Sequence, residues 1–202
     1  AVNRQVEALF QRDSAVEKGL EKESRSAYLQ SSYIDKWAGF PLYQNTQTKY
    51  YSCGEEMFPD MLEALRGAKH FIFLEYFIIE EGYMFNTILD ILEEKAKAGV
   101  DVRFIYDDVG SINSISFGYY KKLQERGIPC VTFNPFKPLI SVVMNNRDHR
   151  KIFVVDGYIG FTGGINLADE YINKVKRFGY WKDTGVRIEG EAVWSLTAMF
   201  LE

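Results

Sequence analysis

The sequence is poor in the residues that build metal and redox centres, with two histidines and two cysteines among 202 residues. Cys53 and Cys130 lie far apart and match neither a metal nor a redox spacing, so they read as reduced thiols in or near the core. That usage points to a cytosol-facing location. No run of apolar residues is long enough to span a bilayer. The densest, "FIFLEYFII", is short and broken by Glu75. A secretory signal, a glycine-rich nucleotide loop, a low-complexity segment and a convincing repeat are all missing from the sequence. A general basic excess is missing too: the net charge is −4, against the footprint expected of a nucleic-acid partner.

What is present is ample material for a core. With 47% hydrophobic and 15% aromatic residues the chain is not disordered, and its length suits one α/β domain, alone or with an appendage. Charge is unevenly placed. Residues 145–187 hold eight Lys/Arg against five Asp/Glu, whereas the final fifteen residues hold three acids and no bases. An anionic substrate would be drawn to the basic stretch.

Residues 1–37 are charged and helix-forming, ending at "AGFP". "TQTKYYS" alternates like a strand, "GEEMFPDMLEALRGAK" has helical spacing, and "HFIFLEYFII" reads as a strand covered on both faces. A helix at 83–98, a strand at 100–106, a helix at 115–126 and a strand at 128–133 follow. That order predicts a mostly parallel or mixed sheet with helices on both sides, an α/β/α sandwich. "RKIFVV" and "YIGFTG" then flank Asp156-Gly157, a two-residue hairpin signal. A short helix at 167–172, the strand "TGVRIEG" and a final helix complete the chain. The chain begins inside polar helical sequence and stops at "AVWSLTAMFLE" without a cap or breaker, so it reads as a piece of a longer protein.

The chemistry concentrates in "RDHRKIFVVDG". On a strand, His149 and Lys151 share a face because side chains alternate with period two. Imidazole and ammonium side by side are mutually unfavourable if both are charged, which predicts a neutral imidazole with a lone pair free to attack. Lys151 would neutralise an anionic substrate oxygen. Downstream, Gly163 and Gly164 permit close backbone approach, and the Asn166 amide can donate to an oxyanion. Asp183 is a candidate partner for the second imidazole nitrogen, or a surface charge. These residues point to metal-free phosphoryl transfer through a phosphohistidine, with no cofactor.

His149-x-Lys151-x4-Asp156 followed by Gly163-Gly164-x-Asn166 resembles the HKD motif of the phospholipase D superfamily. "GVDVRFIYDDVGS", "FTGGINLADEYIN" and the stretch from "GFPLYQNTQTKYYS" to "FIFLEYFII" are similar to the first catalytic half of bacterial cardiolipin synthases, over roughly residues 37–202. The resemblance implies one HKD half in residues 38–202, preceded by a helical linker at 1–37 from a membrane anchor. It implies His149 as nucleophile, Lys151 and Asn166 as phosphate ligands, and Asp156 as the third motif residue. Phosphatidylglycerol would be the substrate, at a cell membrane with the catalytic domain facing the cytoplasm. The partner would be a second HKD half or a homodimer mate. Other HKD phosphodiesterases (a phospholipase, a phosphatidylserine synthase or a dimeric nuclease) and a non-catalytic lipid-binding half are the alternatives.

Several residues also have plain structural readings. Asp156 suits the first position of a turn on backbone preference alone. Asn166 would serve as a helix N-cap, with Asp169 completing an approximate capping box. Glu75, inside a buried run, must be paired or line the site. Asp107-Asp108 reads as a loop after a strand rather than a metal pair. The apolar segment 133–146 is core or a lip meeting acyl chains. His70 opens a different strand without an accompanying lysine. A chain lacking its second half would expose an apolar face around residues 150–163 and pair about a two-fold axis.

Overall fold

The computed structural model describes residues 10, 12–136 and 145–202. Its centre is a seven-stranded mixed sheet in the order β1-β7-β6-β5-β2-β3-β4. The strands are β1 (Thr46–Tyr51), β2 (Phe71–Tyr76), β3 (Asp101–Asp107), β4 (Cys130–Phe133), β5 (Ile152–Val155), β6 (Ile159–Gly163) and β7 (Gly185–Gly190). Only β2–β3 and β3–β4 pair in parallel; the other four neighbouring pairs are antiparallel. The sheet is therefore mixed rather than mostly parallel. The reason is that β5 enters beside β2 in the reverse direction.

The described helices are α1 (Ser14–Glu23), α2 (Arg25–Ala38), α3 (Gly54–Gly67), α4 (Tyr83–Lys97), α5 (Tyr119–Glu125) and α6 (Val193–Leu201). A 3-10 turn spans Asp169–Ile172. Among the described residues the N-terminal segment holds two helices, separated where Ser24 is extended and its hydroxyl caps α2 at Ala27. Alternation along β2 sorts the layers. Ile72, Leu74 and Tyr76 join the main core with Met61 and Leu65 of α3, Ile88 and Leu92 of α4, and Leu123 of α5. Phe73 faces the other way, packing with Ile152, Val154 and the α6 residues Val193, Leu196 and Phe200.

That second layer overturns one expectation. Residues 152–155 and Phe161 are buried, so the 150–163 stretch presents no broad apolar face. α6 folds back over it because its apolar side chains need a covered surface as much as the sheet does. The hairpin is also one residue longer than expected. Its loop is 156–158, with positive φ at Asp156 and Gly157 and the Tyr158 N–H donating to the Val155 carbonyl at 3.1 Å. Most of the apolar 133–146 segment, residues 137–144, lies outside the described residues.

Candidate active site

His149 and Lys151 lie in the lead-in to β5, which itself begins at Ile152. Because Ile152 pairs with Glu75 of β2, the lead-in runs past the C-terminal end of β2. The backbone is fixed there by Asp107, wholly buried at the end of β3. Its carboxylate accepts the N–H groups of Asp148 at 2.9 Å and Gly110 at 2.8 Å, and lies 3.4 Å from Arg147 Nη1. Neighbouring Asp108 accepts from the Phe136 N–H at 2.8 Å. Both adjacent carboxylates thus anchor backbone from other segments, Asp107 from the last position of β3 rather than from a loop and Asp108 from the turn after it.

His149 is exposed while Lys151 is only 5% exposed. Lys151 Nζ donates to the His149 carbonyl at 2.9 Å and lies 3.3 Å from His149 Nδ1. An ammonium has no lone pair, so in this contact Nδ1 accepts and the imidazole proton sits on Nε2. Burial pulls the Lys151 ammonium down to about 8, against the raising influence of the Asp148 and Asp183 carboxylates. Phe77, just past β2, floors the pair: its ring centroid is 4.6 Å from the imidazole and 5.3 Å from Nζ. Sequence reasoning missed Phe77, since an aromatic after an apolar strand looks like any core residue. Gly110 allows it: a Cβ there would meet the Phe77 carbonyl oxygen at 2.3 Å and its ring at 2.7 Å.

Residues 165–168 run beside the exit of β2, with the Leu167 N–H donating to the Ile78 carbonyl at 3.1 Å and the Glu80 N–H to the Leu167 carbonyl at 3.0 Å. This places Asn166 at the same corner. Its Oδ1 accepts the Ile78 N–H at 3.0 Å, and its Nδ2 donates to the Tyr171 hydroxyl at 2.9 Å. With Oδ1 held by a backbone donor, the amide orientation is fixed, and Nδ2 has a second hydrogen to give. Asn166 is not a helix cap. Ala168 occupies the cap of the short 3-10 turn, and Asp169 serves another element, accepting the Tyr83 and Met84 N–H groups at the start of α4.

Gly163 and Gly164 are required by the neighbouring strand. A Cβ at Gly163 would meet the Thr184 carbonyl oxygen at 2.4 Å, and one at Gly164 would meet the Asp183 carboxylate at 2.0 Å. The Gly164 N–H is already given to Thr184 at 3.1 Å. Asp183 accepts from Trp181 Nε1 at 3.2 Å and the Thr184 N–H at 2.7 Å. Its charge acts on Lys151, but among the described residues no hydrogen bond joins it to His149.

Asp156 lies at the far end of β5 from His149. Its carboxylate collects the N–H groups of Lys69, His70 and Phe71 at 2.7–2.8 Å, which together hold it below the usual carboxylate range despite burial. It thus locks the β5–β6 turn to the start of β2, away from His149. His70 sits at this same remote end, about 16 Å of strand from Glu75 at the rise of a β-strand.

Glu75 shows how the site's underside is held. Its buried carboxyl lies with Asp148 and Arg150, with Arg150 Nε 2.7 Å from Glu75 Oε1 in a contact that lacks hydrogen-bond alignment. Arg150 also contacts Asp148 at 3.1 Å and donates to the Met199 carbonyl of α6 at 3.2 Å. Burial, reinforced by the Asp148 carboxylate, pushes Glu75 up to about 9. Asp148 stays low: the hydrogen bond from Glu75 and the N–H and guanidinium of Arg150 together outweigh its burial. Near neutral pH Glu75 therefore keeps its proton and donates it to Asp148, the residue before His149.

A histidine–lysine pair two residues apart at the mouth of a mixed α/β sandwich, with a held asparagine on the adjoining loop, defines a phospholipase D-like fold. The fold is shared with a solved phospholipase D family member, Nuc from Salmonella typhimurium, at TM-score 0.58 and 20% identity over 78% of this chain and 91% of that one. Residues 61–180 match the family described as cardiolipin synthase, PLD-like domain, and the chain belongs to that family. A cardiolipin synthase of Alkalihalophilus pseudofirmus is 45% identical over 80% of this chain and 32% of its own length. An uncharacterized protein of Streptococcus mutans is 47% identical over 98% of this chain and 43% of its own. The chain thus spans less than half the length of these relatives.

Proposed function

We propose that this chain is one catalytic half of a cardiolipin synthase, moving a phosphatidyl group between two phosphatidylglycerol molecules and releasing glycerol. The observation that carries this reading is the His149–Lys151 pair, an exposed imidazole held 3.3 Å from a buried ammonium. The phosphodiester's charge would draw Lys151 Nζ from Nδ1 to a phosphoryl oxygen, with Asn166 Nδ2 donating to a second oxygen. Nδ1 is then free to take the ring proton, with Asp183 as its acceptor, and Nε2 to attack phosphorus.

In that step an N–P bond forms and the bond from phosphorus to the glycerol oxygen breaks. The departing alkoxide is a poor leaving group and needs a proton from the side opposite His149. His70, at the other end of β2, is too remote to give it. A second histidine from another HKD half or a second copy serves instead. It then accepts the proton of the second lipid's hydroxyl as that oxygen attacks, and the N–P electron pair returns to the imidazole. The membrane setting follows from the lipid substrate. Among the described residues no helix is long and apolar enough to cross a bilayer.

The test is made on the full-length protein with phosphatidylglycerol vesicles, following cardiolipin by mass spectrometry and trapping the phosphoenzyme by rapid quench. Wild type should give both, and His149→Ala neither. Undiminished cardiolipin formation by His149→Ala would overturn the reading.

A further inference from the structure

We propose that the loop 173–182, beside the site, is the surface by which the protein seats on an anionic phospholipid bilayer. This rests on the lipid reading above and adds the place of contact. The segment "NKVKRFGYWK" contains Lys174, Lys176, Arg177 and Lys182 and no acid. It also leaves Phe178 74%, Tyr180 63% and Val175 46% exposed. Aromatic and apolar tips among lysines are ill matched to water alone. They suit the interfacial layer of an anionic membrane, where rings sit among headgroups and ammonium groups meet phosphates.

The loop is built as a fixed platform. Asn173 clamps its two ends, accepting the Trp181 N–H at 2.6 Å and donating to the Trp181 carbonyl at 3.0 Å. Arg177 turns inward to Glu80 at 2.6 Å and Glu170 at 3.2 Å, and Lys182 donates to the Ser52 carbonyl, so the outward charge comes from Lys174 and Lys176. Lys174 lies over the Tyr83 ring at 4.5 Å, and Lys176 makes no hydrogen bond or ion pair among the described residues.

The platform reaches the site through two contacts. The Phe178 ring packs on Trp181 at 6.0 Å, and Trp181 packs on Tyr171 at 4.9 Å. Trp181 in turn bonds Asp183, and Tyr171 accepts from Asn166. A lipid headgroup would then enter beside His149 while its acyl chains stay in the bilayer. The other exposed apolar stripe, Leu29, Tyr33 and Trp37 on α2, lacks the charge match: residues 14–38 hold four bases and four acids.

Sedimentation of the 202-residue chain with vesicles of phosphatidylcholine, alone or mixed equally with phosphatidylglycerol, tests this. Wild type should partition onto the mixed vesicles and lose that binding as salt rises. Phe178→Ala/Tyr180→Ala should lower the partition coefficient at least about tenfold. Lys174→Gln/Lys176→Gln should lower it about fivefold per lysine on mixed vesicles only. Tyr33→Ala/Trp37→Ala should leave it unchanged. Absence of phosphatidylglycerol-dependent partition by wild type, or loss confined to the Tyr33/Trp37 variant, would overturn the proposal. Monomeric short-chain phosphatidylglycerol separates the two readings in the full-length protein. Turnover of it without vesicle partition defeats the docking surface alone, and partition without a phosphoenzyme defeats the catalytic reading alone.

Discussion

Asp107, fully buried at the end of β3, holds the backbone N–H of Asp148 at 2.9 Å, one residue before His149. A strand that contributes nothing to the reacting groups thus fixes where the imidazole emerges. Asp107→Ala would leave the Asp148 N–H buried without an acceptor and the half-buried Gly110 N–H without its side-chain partner, at a cost of about 1–3 kcal/mol. Turnover of the full-length enzyme should fall at least about tenfold with KM little changed. Denaturant melts and steady-state kinetics check both, and unchanged kcat would separate this anchor from the site.

The Glu75 carboxyl should make stability fall with rising pH. Its folded-state pKa, about 9, is raised above the ordinary glutamate value of about 4.3. The native state therefore keeps a proton that the unfolded chain releases. The favourable contribution is complete below about pH 4 and is lost as pH rises towards about 9. Glu75→Gln keeps a donor towards Asp148 and should stabilise the protein on the order of 1 kcal/mol at pH 8. Denaturant midpoints measured from pH 5 to 9 should show a flatter profile in the variant. An unchanged slope would mean that Glu75 ionises normally.

Lys151 behaves in the opposite sense. Its pKa is depressed to about 8, so between about 8 and the ordinary lysine value of about 10.4 the unfolded state binds more protons and stability rises with pH. Inorganic phosphate or vanadate binding needs the ammonium, so affinity should fall as pH rises through about 8. Lys151→Met should abolish that anion binding while raising stability at pH 7 by about 1–2 kcal/mol, because a desolvated charge is removed. Calorimetric titration at pH 7 and pH 9 checks the first expectation, and thermal melts the second.

Trp181 Nε1 donates to Asp183 Oδ2 and the Thr184 N–H to Oδ1, so Asp183→Asn keeps an acceptor for one of the two donors and should cost about 1 kcal/mol of stability. If the carboxylate accepts the imidazole proton during attack, kcat should drop at least about tenfold. Wild-type turnover in this variant would leave Asp183 as a neighbour of Gly164 and nothing more.

Local pattern alone revealed most of the elements. Helical spacing marked α3 and α4, alternation and apolar runs marked β1, β2 and β7, and Asp156-Gly157 marked the β5–β6 turn, because period and turn chemistry are properties of adjacent residues. The pairing of His149 with Lys151 was legible for the same reason, since two positions along an extended chain share a face. Partnerships over long separations were not. Asp156 binding Lys69, His70 and Phe71, Asp169 capping α4, and Asn166 holding Ile78 each join residues more than eighty positions apart. A carboxylate or amide carries no mark of which distant N–H it will meet. Phe77 beneath the imidazole and the proton of Glu75 belong to the same class. Both depend on how closely β2, β3 and the lead-in to β5 pack, and on the water excluded between them. Only the folded sheet decides that.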